Sequence, residues 1–170
     1  DWSSDVCSSD LEKIASGFTD YLKTSGNGKL LLNLHIPLTN LDASKIKGSY
    51  AIVNGSMQSD SIPELTKLNG VMEFTESSIN ANNVNAIAYG GPAQFSINTD
   101  KNHAIQITAK GHVFDTGLRK SFGSLVPKSV TGGTDWSAKA LVINNKTEVS
   151  VRSNLIGINS KLPFPLNKAA

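Results

Sequence analysis

The chain has little of what catalytic and metal-binding sites most often use. Its 170 residues include one cysteine, Cys7, which lies within the first eleven residues. The rest of the chain therefore has no disulfide, no thiolate zinc site and no cysteine nucleophile. Only 18% of the residues are charged and 6% are aromatic. Because no Lys/Arg cluster with interleaved aromatic residues occurs, we do not expect nucleic-acid binding.

Long apolar runs and catalytic motifs are also missing. No stretch approaches the roughly 20 apolar residues that a membrane-spanning helix needs. The histidines show no HxH or HxxxH metal spacing, and no G-x-S-x-G elbow is present. The segment Gly90-Gly91-Pro92 is not followed by GK[ST], so it is not a phosphate loop. We expect neither enzymatic activity, nor a catalytic or metal site, nor a cofactor.

The first eleven residues look foreign to the rest. The string Asp1–Leu11, DWSSDVCSSDL, matches the in-frame translation of a common sequencing adapter, and we exclude it from fold reasoning. A genuine Ser/Asp-rich linker is the alternative. Without its three aspartates, the formal charge changes from +2 to 16 basic minus 11 acidic residues, or +5. Residues 12–170 are then enough for one domain or part of a larger one.

The hydrophobic period changes early in the chain. Apolar residues in Glu12–Thr24 recur at helical spacing, which predicts a helix that Ser25–Gly28 stops. From Lys29 onward apolar and polar residues mostly alternate, as in half-buried strands. Asn54-Gly55 predicts a hairpin turn, because both residues tolerate positive φ. The alternation changes parity at Asn82-Asn83, which predicts a bulge.

These patterns predict a mainly β fold. We expect a long, curved antiparallel sheet of about eight to ten strands, with one or two short helices, one of them over Asp115–Val126. One face of this sheet is apolar and must be covered. Three covers are possible: a second sheet packed against it, closure of the sheet upon itself, or an apolar ligand lying in a trough.

Three segments carry a resemblance to a known family. They are Leu30–Ile52 (LLLNLHIPLTNLDASKIKGSYAI), Leu68–Ile97 (LNGVMEFTESSINANNVNAIAYGGPAQFSI) and Asn154–Ala170 (NLIGINSKLPFPLNKAA). Their order and spacing resemble the YhdP branch of the AsmA-like proteins across residues 12–170, which would make this region a segment of a β-groove domain. The resemblance implies a periplasmic protein of Gram-negative bacteria, anchored in the inner membrane. It implies a groove that passes phospholipid between inner and outer membrane, with membrane contact through parts outside this segment.

The alternation and the resemblance together suggest which residues line the groove. We hypothesise that one apolar face holds acyl chains, although each of its residues alone would equally suit an ordinary core. The predicted lipid-binding residues are Leu32, Leu34, Ile36, Tyr50, Ile52, Met72, Phe74, Phe95, Ile97, Ile105, Ile107, Val149 and Val151.

Two other functions compete with lipid transfer. One is a structural or adhesive extracellular β-protein whose apolar face is plain dry core. A more distant one is a polysaccharide-active enzyme on a β-scaffold, which would need clustered carboxylates and exposed aromatics that the chain does not show. A dry sandwich and a groove produce the same alternation, so the sequence leaves this choice open.

Overall fold

The described part of the chain is a single open antiparallel sheet. A computed structural model of the chain describes residues 23–37, 44–59, 62–143 and 146–169. Strands β1 to β8 lie side by side in chain order, and a short β9 pairs with β7. The strands are β1 (Lys23–His35), β2 (Lys45–Ser59), β3 (Ile62–Thr75), β4 (Ile79–Ala88), β5 (Gly91–Thr99), β6 (Ile105–Phe114), β7 (Val130–Ile143), β8 (Lys146–Ser153) and β9 (Ile158–Ser160).

The predicted fold class is confirmed: the described residues are mainly β, in one antiparallel sheet with one short helix. The helix, α1 (Asp115–Phe122), continues into a 3-10 turn over Gly123–Leu125 and connects β6 to β7. Several strands are longer than the sequence indicated, with 15 residues in β2 and 14 in both β3 and β7. Among the described residues, no helix combines the length and apolar content of a membrane span.

The amino-terminal prediction is partly wrong. Of the predicted helix Glu12–Thr24, residues 12–22 lie outside the described residues, and the last two belong to β1. The predicted stop at Ser25–Gly28 is a bulge inside this strand. Gly26 supplies a φ of +120°, and a Cβ at that position would lie 2.5 Å from the Cα of Gly55. The glycine therefore lets two strands approach closely instead of ending an element.

The hairpin predicted at Asn54-Gly55 is also wrong. Strand β2 runs through this dipeptide, and its register with β3 shifts there. Asn54 has a φ of +50°, and its backbone N–H donates to Asn69 Oδ1 at 2.9 Å. Positive φ serves a bulge as well as a tight turn, so the local signal was real but its structural meaning was different.

Other local predictions are confirmed. The register between β4 and β5 shifts between Ala81 and Val84, where a bulge was expected from the change in parity, and Asn83 has a φ of +55°. The predicted helix at Asp115–Val126 corresponds to α1 and its 3-10 continuation. The bulge at Asn82-Asn83 keeps apolar side chains on one face of the sheet, because Ala81 before it and Val84 after it pair with Ile97 and Phe95, two residues apart in β5.

The buried core lies in the middle of the sheet. Seven buried residues of β3, β4 and β5 form one cluster: Leu65, Leu68, Ala81, Val84, Ala86, Ala88 and Ala93. Within the described ranges no large side chain is fully buried. The cluster is therefore built mainly from small residues, with partly buried side chains such as Met72, Phe95 and Trp136 packed against it and no second sheet among the described residues over it.

Candidate functional site: the apolar face of the sheet

Strand register places an unbroken apolar row across all eight strands. Because directly paired residues in a sheet point to the same face, the pairing can be followed from strand to strand. Tyr50 pairs with Met72, Ile97 pairs with Ile107, and every intervening partner is apolar as well. We call this the central row: Leu30, Tyr50, Met72, Ala81, Ile97, Ile107, Ala140 and Val149.

Two further rows lie on either side of the central row. One runs through Val84, Phe95, Ala109, Ala138 and Val151. On the other side Leu32, Gly48, Phe74 and Ile79 are aligned, and Ile105 pairs with Val142.

These rows bring together nearly all the predicted groove residues. Leu34 pairs with Ile46, and Ile52 lies two residues beyond Tyr50 in β2 and so shares its face. Ile36 lies just after the end of β1 and has no strand partner. The predicted set did not include Leu30, Val84 and several alanines of the same face. Their parity along the strands was the signal that could have found them.

The opposite face is mostly polar. There Thr108 pairs with Ser96 and Lys139, and Lys110 pairs with Gln94. A shallow depression across β6, β7 and β8 is lined largely by these polar-face residues. Ile107 and Ala140 of the central row also line it, and nothing in its lining gathers into a reactive cluster. The two faces of one sheet thus have opposite chemistry.

Exposure of the apolar face rises from the middle of the sheet to its edges. In the central row the exposed fraction is 3% for Ala81 but 56% for Leu30 and 61% for Val149. No described strand pairs with the free edges of β1 and β8. The described residues thus leave large apolar side chains uncovered, which is costly in water at about 25 cal/mol per Å².

An aromatic cluster covers one end of the apolar face, which we call the helix end. The ring of Tyr89, in the turn between β4 and β5, stacks on Phe122 of α1 at a centroid distance of 5.7 Å. It also meets Trp136 edge-on at 6.4 Å. Burial raises the pKa of the Tyr89 hydroxyl. Trp136 thus packs in this cluster, and its indole N–H is buried without a hydrogen-bond partner.

The titratable groups do not assemble a reaction centre in the described ranges. His112 Nδ1 lies 2.8 Å from Asp135 Oδ1, but the aspartate side chain is 85% exposed. His103 Nδ1 is 3.2 Å from the backbone oxygen of Ser77 in a neighbouring turn. Over the same ranges, no three His, Cys, Asp or Glu residues group closely enough to hold a metal ion. The described site is an apolar surface.

The sheet and its apolar face define an open, single-layer antiparallel β-protein. The chain belongs to the YhdP family, because the family model described as YhdP protein matches residues 6–170. No curated protein and no solved structure gives a significant match. The family match begins at residue 6, and the assignment of Asp1–Leu11 to a sequencing adapter stays a prediction.

Proposed function

We propose that this chain is a segment of a lipid-transfer protein whose apolar face carries phospholipid acyl chains between the inner and outer membranes. The observation that supports this most is the central row. Eight consecutive strands contribute an apolar side chain to it, and its two ends are more than half exposed. Membership of the YhdP family agrees with the proposal. We place the protein in the periplasm, anchored to the inner membrane in its full-length form.

The mechanism follows from the chemistry of the face. Acyl chains that cover apolar side chains gain about 25 cal/mol per Å² of surface removed from water, as in a protein core. Such contacts have no preferred direction. An acyl chain can therefore move from row to row without breaking hydrogen bonds, and the face discriminates weakly among head groups. The proposed ligand is phospholipid, without a cofactor and without nucleic acid.

The alternative is a structural or adhesive extracellular β-protein, in which the same face is an ordinary dry core. The buried cluster in β3, β4 and β5 favours it locally, because small side chains there already exclude water. The exposed leucines of β1 and valines of β8 favour lipid. The two readings therefore predict different contacts for the same apolar residues in the intact protein.

Photo-crosslinking in cells separates these readings. A photoreactive amino acid is placed at Ile107, and separately at its neighbour Thr108, in the intact parent protein. Ile107 lies in the central row and Thr108 on the polar face. The two residues are neighbours in the same strand and differ in the face that they occupy. We expect phospholipid adducts at Ile107 and none at Thr108, measured by mass spectrometry. Crosslinks from Ile107 to protein alone would show a dry core.

A further inference from the structure

Two connections at the helix end of the sheet are joined by backbone hydrogen bonds. The backbone N–H of Lys161 donates to Ser129 O at 3.0 Å, next to the β7–β9 pairing. Ser160 and Lys168 exchange two hydrogen bonds of 2.7 and 2.9 Å. The segment after α1 and the carboxy-terminal turn therefore form one surface region. We call its exposed residues the basic apolar patch: Leu125, Lys128, Lys161, Phe164 and Leu166.

The apolar side chains of this patch are exposed to solvent. The exposed fraction is 81% for Leu125, 89% for Phe164 and 65% for Leu166. A turn holds Phe164, because the N–H of Leu166 donates to Pro163 O at 2.9 Å and prolines on both sides restrict the backbone. A backbone that is already restrained loses little conformational entropy when this turn binds a partner. These residues lie outside the rows of the apolar face.

Among charged residues, the two chain segments that carry the patch contain basic ones only, with Asp115, Asp135 and Glu148 just outside them. Residues 116–134 and 149–170 contain six basic residues and no acidic residue. Lys120 is paired with Glu64 at 2.8 Å, and Arg119 is paired with Asp115. Lys128 and Lys161 are exposed, and neither forms an ion pair with a described residue. Their positive charge is therefore available to a partner.

We propose that the basic apolar patch docks onto the surface of an anionic phospholipid bilayer. Exposed Phe and Leu side chains with flanking lysines are the combination that an interfacial membrane site requires. The apolar groups enter the boundary between head groups and acyl chains, and each lysine gains attraction to anionic lipid. A nucleic acid would leave the apolar side chains uncovered in water. This docking is a second function, and it does not depend on acyl chains occupying the apolar face.

The test is co-sedimentation of the full chain with vesicles. One set holds three parts phosphatidylcholine to one part phosphatidylglycerol, and the other holds phosphatidylcholine alone. We expect binding to the anionic vesicles only, and a loss of that binding at about 0.5 M NaCl, where charges are screened. The double substitution K128Q/K161Q should weaken it about 30-fold. The matched control K110Q/K139Q, on the polar face, should bind as wild type does.

The apolar contribution needs its own variants. The double substitution F164S/L166S should weaken binding about tenfold or more, whereas V71S, at an exposed apolar position on the polar face, should not. In F164W, added indole fluorescence should shift to the blue with anionic vesicles and be quenched by brominated acyl chains. Circular dichroism checks that each variant keeps its sheet.

Failure of this inference is distinguishable from failure of the proposed function. Equal binding to both vesicle types, no binding, or no effect of K128Q/K161Q would overturn the docking surface. None of these outcomes would alter phospholipid crosslinking at Ile107. In the opposite case, a crosslink confined to protein at that position would leave charge-dependent vesicle binding untouched.

Discussion

The middle strands and the edge strands share one apolar face but cover it differently. In β3, β4 and β5 small side chains such as Ala81 and Ala86 are at most 5% exposed. In β1 and β8 large side chains such as Leu30 and Val151 are more than half exposed. The same alternation of residues therefore produces a closed core in one region and an open apolar surface in the other. Side-chain size and covering neighbours decide which.

The largest expected effect comes from one row that crosses both regions. Val84 and Val151 belong to the same row, but the first is 8% exposed and the second 66%. Val84→Asp should lower the free energy of unfolding by about 4 kcal/mol, because it buries an unpaired charge. Val151→Asp should lower it by less than about 1 kcal/mol. Urea unfolding of both variants measures the difference. Equal losses of stability would contradict the difference in burial between the middle and edge strands.

A smaller effect is expected where α1 packs against the turn between β4 and β5. A Cβ at Gly117 would lie 1.7 Å from the backbone oxygen of Tyr89, so Gly117→Ala should push the helix away from the turn it covers. We expect a loss of about 2 kcal/mol and easier access of apolar dyes to the middle strands. The control is Ser121→Ala, at an exposed position of the same helix. If Gly117→Ala were as stable as the wild type, packing of the helix on this turn would not contribute to stability.

Two substitutions at Trp136 distinguish the contribution of its ring contacts to stability from that of its indole N–H. Trp136→Ala should cost about 3 kcal/mol, because it removes an aromatic ring from the cluster. Trp136→Phe should stay within about 1 kcal/mol of wild type, since the lost indole N–H has no partner. Thermal unfolding measures both changes. A large loss in the phenylalanine variant would reveal a hydrogen bond to this N–H in solution.

The smallest effect is expected outside the apolar rows, at the β3–β4 turn. Hydrogen bonds from its own backbone N–H and then from that of Ile46 lower the pKa of the Glu76 carboxyl, and the charge of Lys45 adds to them. A carboxyl with a lowered pKa stabilises the fold above its unfolded pKa, and this contribution disappears as the pH falls through the folded value. Glu76→Gln should therefore lower the melting temperature slightly at pH 7.

The pH dependence checks the sign of that effect. The difference in melting temperature between wild type and Glu76→Gln should vanish in acid, once the carboxyl is protonated in both the folded and the unfolded state. Lys110→Gln, which removes a charge from the polar face, should show no comparable change over the same range. A difference that grows in acid would contradict the assigned hydrogen bonds.

The sequence revealed the face of each strand better than the extent of each strand. Parity predicted the bulge at Asn82-Asn83 and placed Tyr50, Met72 and Ile107 on one side, because side-chain direction depends only on local geometry. The hairpin at Asn54-Gly55 failed because positive φ fits both a bulge and a turn. Only pairing with β3 decides between them, and that is a long-range contact.

Coverage of the site could not be predicted from the same pattern. Ala81 and Val149 have equivalent positions in the central row, yet one is buried and the other is open. Burial depends on which elements lie above a residue, and the docking of Gly117 against Tyr89 is a contact between distant parts of the chain. Alternation therefore identified the candidate face, whereas its open and closed parts required the three-dimensional arrangement.

The length of the central row can also be compared with the length of an acyl chain. Its eight strands are separated by seven spacings of about 4.8 Å, so the row extends about 34 Å across the sheet. A bilayer core of about 30 Å is two acyl chains deep. If acyl chains lie along the row, this segment accommodates about two of them end to end. Each added strand would lengthen the row by about a third of one acyl chain.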